Sequence, residues 1–190
     1  MSLAVVALCG ITLASCTHEG RNGARKPTPV LSRPPSTTYP MPPLTGGATT
    51  AEMGWVFPGS QRGKIGDYNG KVLVLDFYAT WCEPCRESIP HLVSLQQRYG
   101  TQGLQIIGLN VGGPDDRLEV SAFAREFAIQ YPLAFPDKSL EDLFLSDNSG
   151  IPQTFVFDRA GQPLKRFVGY GTSTASELER VIQNGLNSEK

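Results

Sequence analysis

Three features are scarce in this 190-residue sequence: excess charge, cysteine and histidine. Seventeen basic side chains against eighteen acidic ones give a formal net charge of −1, which provides no positive field for a nucleic-acid backbone. Four cysteines are too few for a disulfide framework that stabilises a chain of this length, so their positions matter more than their number. A structural zinc ion needs four ligands, and the part of the chain predicted to fold offers only Cys82, Cys85 and His91. We therefore expect neither nucleic acid nor a metal ion as a ligand.

The first sixteen residues form an apolar run without Asp, Glu, Lys or Arg. This run is shorter than the ~20 residues that a membrane-spanning helix needs, so it fits an export signal better. It ends in LASC at residues 13–16, which resembles the lipobox of bacterial lipoprotein signals. The resemblance implies that residues 1–16 are a lipoprotein signal peptide and that a lipidated Cys16 anchors the protein at an extracytoplasmic membrane surface. The alternatives are an uncleaved N-terminal anchor and a buried hydrophobic segment whose cysteine is only an apolar side chain.

Residues 17–54 differ in composition from the rest of the chain. Seven of the fifteen prolines lie within residues 27–43, a density that excludes a helix or a central strand. The interleaved Ser, Thr and Gly leave little apolar surface to bury, so burial would not offset the conformational entropy that this segment loses on ordering. We predict a Pro/Ser/Thr-rich disordered tether over residues 17–54, followed by one folded domain over residues 55–190.

The predicted domain alternates between strand and helix patterns. Near-continuous apolar runs predict buried strands over residues 72–78 and 104–111, and a strand–turn–strand pattern predicts a hairpin over residues 153–168. Apolar residues at helical spacing predict a helix over residues 83–99. Two further helices are predicted to open with capping boxes, at Asp116 with Glu119 and at Thr174 with Glu177. The order β-α-β-α-β-β-α predicts an α/β domain with a central mixed sheet flanked by helices.

A Cys-x-x-Cys motif, Cys82 and Cys85, lies where the first long strand meets the first long helix. A cysteine at a helix N-terminus faces unpaired backbone N–H groups and the positive end of the helix dipole, which favour the thiolate. We therefore expect Cys82 to be the nucleophile. Cys85 follows within the helix and is expected to be the resolving thiol.

The motif ATWCEPC at residues 79–85, together with GIPQTF at residues 150–155, resembles the thioredoxin superfamily. More narrowly, the exported and anchored form resembles the TlpA/ResA type of thiol-disulfide oxidoreductase. The resemblance implies a thioredoxin fold over roughly residues 64–187, with residues 110–136 as the inserted segment of this subgroup. It also implies that Pro152 is cis and faces the cysteine pair, and that the backbone of Ile151 pairs with an extended substrate segment.

The same resemblance assigns roles to residues around the pair. Asp76 matches the buried acid that relays the proton of the resolving thiol in thioredoxins, and the apolar strand around it favours burial. The alternative is an Asp that faces the edge at a strand end. Trp81 and Pro152 are expected to bracket Cys82 with apolar surface where the substrate docks. Glu83, followed by Pro84, is expected to make the pair more reducing, because its charge opposes the thiolate.

The family resemblance implies thiol-disulfide exchange with exported proteins and reduction of their disulfides. It implies a membrane thiol-disulfide carrier as electron donor, and no cofactor besides the Cys82–Cys85 disulfide. Apocytochrome c, a copper-site protein and a general pool of mispaired disulfides are all compatible substrates. A thiol oxidase or isomerase, a thiol peroxidase, and a redox-dependent binding module or metallochaperone are the alternatives.

Overall fold

The structure, a computed structural model, describes residues 38–41 and 50–188, all of which belong to one compact unit. The strands within these residues are β1 (Thr38–Tyr39), β2 (Gly54–Val56), β3 (Arg62–Lys64), β4 (Val72–Tyr78), β5 (Leu104–Asn110), β6 (Leu133–Pro136), β7 (Gln153–Phe157) and β8 (Pro163–Val168). The α-helices are α1 (Glu83–Tyr99), α2 (Asp116–Glu126), α3 (Lys138–Leu145) and α4 (Thr172–Asn187). Short 3-10 helices lie at Thr50–Glu52, Ile65–Tyr68 and Gly100–Gln102.

The strands form one mixed sheet in the order β1-β8-β7-β4-β5-β6-β2-β3. Strands β4, β5 and β6 run parallel to one another, and β7 pairs antiparallel with β4. Strand β8 returns antiparallel to β7. The predicted mixed sheet is confirmed, and so is the predicted hairpin of β7 and β8.

Strand β4 lies near the centre of the sheet, and all seven of its residues are buried. Its side chains alternate between the two faces, as the two-residue period of a strand requires. Val72, Val74 and Tyr78 belong to the core packed against helices α1, α2 and α4, whereas Leu73, Leu75 and Phe77 belong to the core packed against α3. Both faces are therefore covered by helices, which explains why the sequence of β4 is apolar without interruption.

Helix α1 has the predicted bounds of residues 83 and 99. It begins directly after Cys82, with Pro84 in its first turn, where a proline removes no hydrogen bond that the helix could make. Its last residue is Tyr99, and Gly100 occupies the C-cap position. The buried side chains Ile89, Leu92 and Leu95 hold the helix against the sheet.

Both predicted capping boxes are wrong. Asp116 is buried and bonds to distant residues rather than to its own helix, as described below, because the loop before Cys82 offers it unpaired donors. Helix α4 begins at Thr172, so Thr174 lies inside the first turn. Glu177 instead pairs with Lys165 and Arg180.

The structure contains elements that the sequence patterns did not predict, namely β1, β2, β3, β6 and α3. Two of these overlap the segment predicted as tether. In β1, Thr38 pairs with Phe167 and Tyr39 with Arg166 of β8, and Met41 packs against the core on the α3 side of the sheet. An edge position tolerates the neighbouring prolines, since one side of an edge strand needs no ladder hydrogen bonds. Residues 1–37 and 42–49, including Cys16, lie outside the described residues.

In the part of the chain that the structure describes, no helix combines the length and the apolar character needed to cross a membrane.

Candidate active site

The two cysteines of the motif are joined by a disulfide at the N-terminus of α1, with an S–S distance of 2.10 Å. Cys82 is the N-cap residue, and its Sγ accepts a hydrogen bond of 3.3 Å from the backbone N–H of Cys85. Cys85 is fully buried, whereas Cys82 retains a small exposed fraction of 5%. The sulfur that solvent and substrate can reach is therefore that of Cys82, and it faces the positive end of the helix.

A second loop approaches Cys82 from the start of β7. The Ile151–Pro152 peptide bond is cis, as the family resemblance implied. The carbonyl oxygen of Ile151 lies 3.7 Å from the Cys82 sulfur, and Pro152 is buried beside it. Ile151 is half-buried, so part of this loop remains accessible next to the disulfide.

Asp76 lies in β4 on the same face as Val74 and Tyr78, both of which pack in one core with Cys82 and Cys85. Its carboxylate is completely buried, so the alternative of an Asp at an exposed edge is wrong. One oxygen accepts a hydrogen bond of 2.9 Å from Thr154 Oγ1, and the other has no partner among the described residues. Burial raises the pKa of Asp76 to about 7, although the bond from Thr154 opposes this rise. Asp76 can therefore change its protonation state near neutral pH.

The remaining predicted site residues surround the disulfide at the surface. Trp81 is 67% exposed, which is unusual for so large an apolar side chain. Glu83 is exposed in the first turn of α1, and Pro84 is half-buried. The exposed Trp81 indole provides apolar surface next to Cys82.

A buried carboxylate that the sequence patterns did not identify supports the loop before Cys82. Asp116 Oδ2 accepts hydrogen bonds from the backbone N–H of Thr80, at 3.0 Å, and from Asn110 Nδ2, at 2.6 Å. The Thr80 hydroxyl donates to its other oxygen. A Cβ at Gly112 would overlap the Asp116 carboxylate, so glycine is required there. In the sequence, this contact is indicated by Gly112, four residues before Asp116.

The carbonyl of Thr80 is also held, by Arg86 of α1 at 3.3 Å. Arg86 bonds in turn to Glu126, and its guanidinium lies 4.8 Å from the centre of the Phe127 ring. Helix α2 therefore supports the turn before Cys82 through Asp116 at its start and Glu126 at its end.

No group of three or more His, Cys, Asp or Glu side chains that could hold a metal ion occurs within residues 38–41 and 50–188.

The sequence profile of the AhpC/TSA family matches residues 59–162, more than half of the chain. The chain belongs to this family. The match includes the cysteine pair, Asp76 and the cis-proline loop, so the same region carries the family match and the site described above.

Named relatives agree with this placement. The chain is 33% identical over 121 residues to the thiol-disulfide oxidoreductase ResA of Geobacillus kaustophilus, an alignment that covers 64% of this chain and 67% of the relative. It is 31% identical over 119 residues to ResA of Bacillus subtilis, covering 62% of this chain and 63% of that protein. The alignments thus span about two thirds of these relatives.

A solved structure shows the same fold. The thiol:disulfide interchange protein, a thioredoxin family protein, from Chlorobium tepidum superposes with a TM-score of 0.62 at 25% identity, covering 75% of this chain and 99% of that one. The predicted thioredoxin fold is confirmed, and so is the predicted enzyme class, thiol-disulfide oxidoreductase.

Proposed function

We propose that this protein reduces disulfides of exported polypeptides through Cys82 and Cys85. The observation that carries the proposal is a disulfide at the N-terminus of α1 whose outer sulfur lies 3.7 Å from the carbonyl of Ile151. One sulfur is thereby placed to receive a substrate, and the other is shielded from it.

In the first step, the reduced Cys82 thiolate attacks one sulfur of a substrate disulfide. The S–S bond of the substrate breaks, its second sulfur leaves as a thiolate that takes up a proton, and a mixed disulfide joins Cys82 to the substrate. The N–H of Cys85 and the N-terminus of α1 stabilise the attacking thiolate.

In the second step, Cys85 loses its proton and attacks the Cys82 sulfur, which breaks the mixed disulfide; the substrate sulfur that was bonded to Cys82 leaves as a thiolate and takes up a proton. Two electrons have then passed to the substrate, and the Cys82–Cys85 disulfide has formed. Cys85 must lose a proton in an apolar environment, and Asp76 is a buried carboxylate with a pKa of about 7 in the same part of the core. Asp76 accepts this proton in our proposal and passes it on.

The direction of the reaction rests on Glu83 and on the origin of the electrons. An exposed carboxylate in the first turn of α1 opposes the thiolate of Cys82, which disfavours the reduced pair and makes it a stronger reductant. We infer a membrane thiol-disulfide carrier as the donor that reduces the pair again after each turnover.

The substrate class follows from the surface beside Cys82. Trp81 and the loop at Ile151 and Pro152 offer an apolar side chain and backbone groups, which suit an extended polypeptide rather than a small molecule. Apocytochrome c, a copper-site protein and mispaired disulfides in general are the candidate substrates.

We further propose that Cys16 anchors the protein by a lipid at an extracytoplasmic membrane surface. Of the segment predicted as tether, residues 17–54, the part before β1, residues 17–37, would link the anchor to the domain. The apolar run before Cys16 and the proline-rich sequence after it support this proposal.

Trapping tests the proposed exchange. The Cys85→Ser variant should accumulate mixed disulfides between Cys82 and its substrates, because the resolving thiol is missing. The matched variant Cys82→Ser should trap none. Mass spectrometry of the trapped complexes identifies the substrates.

The reduction potential of the Cys82–Cys85 couple tests the direction. A reductase requires a low potential, and a value above roughly −150 mV would indicate an oxidase or isomerase instead. Consumption of peroxide that depends on Cys82 would indicate a thiol peroxidase. Full function of the Cys85→Ser variant would indicate a binding module or metallochaperone.

A further inference from the structure

Arg166 of β8 is completely buried, which is rare for an arginine. Removing a guanidinium from water is costly unless charged and polar partners surround it. Its Nε donates to Gln153 Oε1 at 2.9 Å, and its Nη1 donates to Asp147 Oδ2 at 2.7 Å. Its guanidinium carbon lies 5.4 Å from the centre of the Phe155 ring. The bond from Arg166 lowers the pKa of Asp147, so the two groups form an ion pair at neutral pH.

Gln153 extends this contact into the loop before the cis-proline. Its side-chain amide donates to the carbonyl oxygens of Asn148, at 2.5 Å, and Gly150, at 2.8 Å. Gln153 is itself completely buried. Arg166 and Gln153 therefore hold three groups of one loop: the side chain of Asp147 and the carbonyls of Asn148 and Gly150.

The loop held in this way has no regular secondary structure between α3 and β7, and much of its surface is exposed. Ile151 is the next-to-last residue of this loop, and its carbonyl lies 3.7 Å from the Cys82 sulfur. On the far side of the cis bond, the carbonyl of Pro152 accepts a hydrogen bond of 2.8 Å from the N–H of Gly169. The position of the Ile151 carbonyl is thus fixed on one side by Arg166 and Gln153 and on the other by Gly169.

We propose that Arg166, Gln153 and Asp147 are positioning residues that hold the Ile151 backbone in place for a polypeptide substrate. The inference rests on the proposed function, since it concerns how the same site binds its substrate. Their hydrogen bonds lead to the loop before Pro152, so we expect them to act on docking and not on the exchange chemistry. Loosening the loop raises the substrate concentration needed for half-maximal rate and leaves the maximal rate unchanged, because uniform binding is lost.

Single-turnover oxidation of the reduced full-length protein tests the inference. Insulin is the polypeptide disulfide, and 5,5′-dithiobis(2-nitrobenzoate) is the small disulfide that needs no backbone pairing. Acid quenching and alkylation of the free thiols give the rate at each insulin concentration. Two variants disconnect the loop: Gln153→Met, which keeps the length of the side chain, and Asp147→Ala, which removes the half-exposed carboxylate that pairs with Arg166.

Arg159→Lys is the matched control. Arg159 also holds backbone carbonyls, those of Gly70, Gln102 and Leu186, but at the opposite end of the sheet. We expect Arg159→Lys and the two loop variants all to lose stability, but only the variants at Gln153 and Asp147 should lose substrate affinity.

We expect the half-saturating insulin concentration to rise about tenfold in Gln153→Met and severalfold in Asp147→Ala, which corresponds to about 1.4 kcal/mol for the first. The rate with the small disulfide should stay within about twofold of the unmodified protein. The inference is overturned if insulin saturation matches that of Arg159→Lys, or if both disulfides lose rate equally. If the unmodified protein leaves insulin disulfides intact, the proposed function fails as well.

Discussion

At the scale of single residues, burial couples the ionisation of Asp76 to the stability of the fold near neutral pH. Its carboxylate is completely buried, and its pKa is about 7 in the folded protein against 3.8 for an ordinary Asp. Below pH 4 the carboxyl is protonated in both the folded and the unfolded state, so it has no effect on stability there. Between pH 4 and 7 only the unfolded state ionises, so the protein loses stability as the pH rises.

Asp76→Asn should therefore stabilise the oxidised protein at pH 8 and not at pH 4. The amide keeps an oxygen for Thr154 and carries no charge to desolvate. The shift in pKa corresponds to about 4 kcal/mol at most. Urea denaturation at several pH values measures the difference.

Asp142→Asn is the control for this measurement. Asp142 is a carboxylate 60% exposed that pairs with Lys138, so Asp142→Asn removes a carboxylate without removing the buried one. A stability difference between Asp76→Asn and the unmodified protein that is the same at pH 4 and pH 8 would contradict the buried titration.

Glu83 gives a second prediction at this scale, concerning the redox couple. Glu83→Gln removes a negative charge beside the Cys82 thiolate, which stabilises the reduced pair and raises its reduction potential. The side chain is exposed and its charge is screened, so the rise should be only roughly 5–20 mV. Equilibration with glutathione measures it. Glu87→Gln, one turn further along α1, serves as the control, and a lower potential in Glu83→Gln would contradict the argument.

At the scale of elements, the active site is the meeting point of α1 with two loops, and a buried polar residue supports each loop. Asp116 at the start of α2 holds Thr80, and Arg166 in β8 holds the loop before Pro152 through Gln153. Helix α1 places its N-terminus at the Cys82 sulfur, and its Arg86 bonds to the carbonyl of Thr80, but both loops are also held by residues outside this helix. The positions of both loops depend on contacts between distant parts of the chain.

Asp116→Ala tests the first of these supports. The substitution leaves the N–H of Thr80 and the amide of Asn110 without their acceptor, which should cost about 2–3 kcal/mol in the free energy of unfolding. The turn before Cys82 then becomes less ordered, and the exchange rate with a small disulfide should fall by about tenfold. Denaturation and stopped-flow kinetics measure the two effects.

The neighbouring residue provides a matched variant, because Asp115 is exposed and caps no donor with its side chain. Asp115→Ala should leave the free energy of unfolding unchanged and the exchange rate with a small disulfide within about twofold of the unmodified protein. Equal losses in the two variants would show that the carboxylate of Asp116 has no special role.

The elements that were predicted correctly are those whose own residues form a clear pattern of apolar side chains, proline and glycine. Strand β4 and helix α1 have the predicted bounds because one is apolar throughout and the other combines a proline in its first turn, an apolar face and a final glycine. Strand β6 and helix α3 span only 4 and 8 residues, too few for a clear period. The roles of Asp116 and Arg166 could not be predicted, because their partners Thr80 and Asp147 are distant or lie in an irregular loop.

At the scale of the whole molecule, the chain combines a redox domain with an N-terminal region of different character. We expect Cys16→Ser to move the protein from the membrane fraction to the soluble fraction of the cells that express it, because the residue proposed to carry the lipid is lost. Cys9→Ser, which lies within the predicted signal peptide, should leave the protein in the membrane fraction. Fractionation and immunoblotting measure both, and an unchanged distribution of Cys16→Ser would contradict lipid anchoring.

The direction of β1 has a consequence for what such an anchor would control. Thr38 pairs with Phe167 and Tyr39 with Arg166, so the chain before Thr38 joins the sheet at the end of β8 where Val168 pairs with Gln153. That end carries Pro152 and faces Cys82. Fully extended, residues 17–37 span about 70 Å at ~3.5 Å per residue. An anchor at Cys16 would therefore limit how far the Cys82 sulfur can lie from the membrane, because the linking segment enters the domain at the end of the sheet that faces this sulfur.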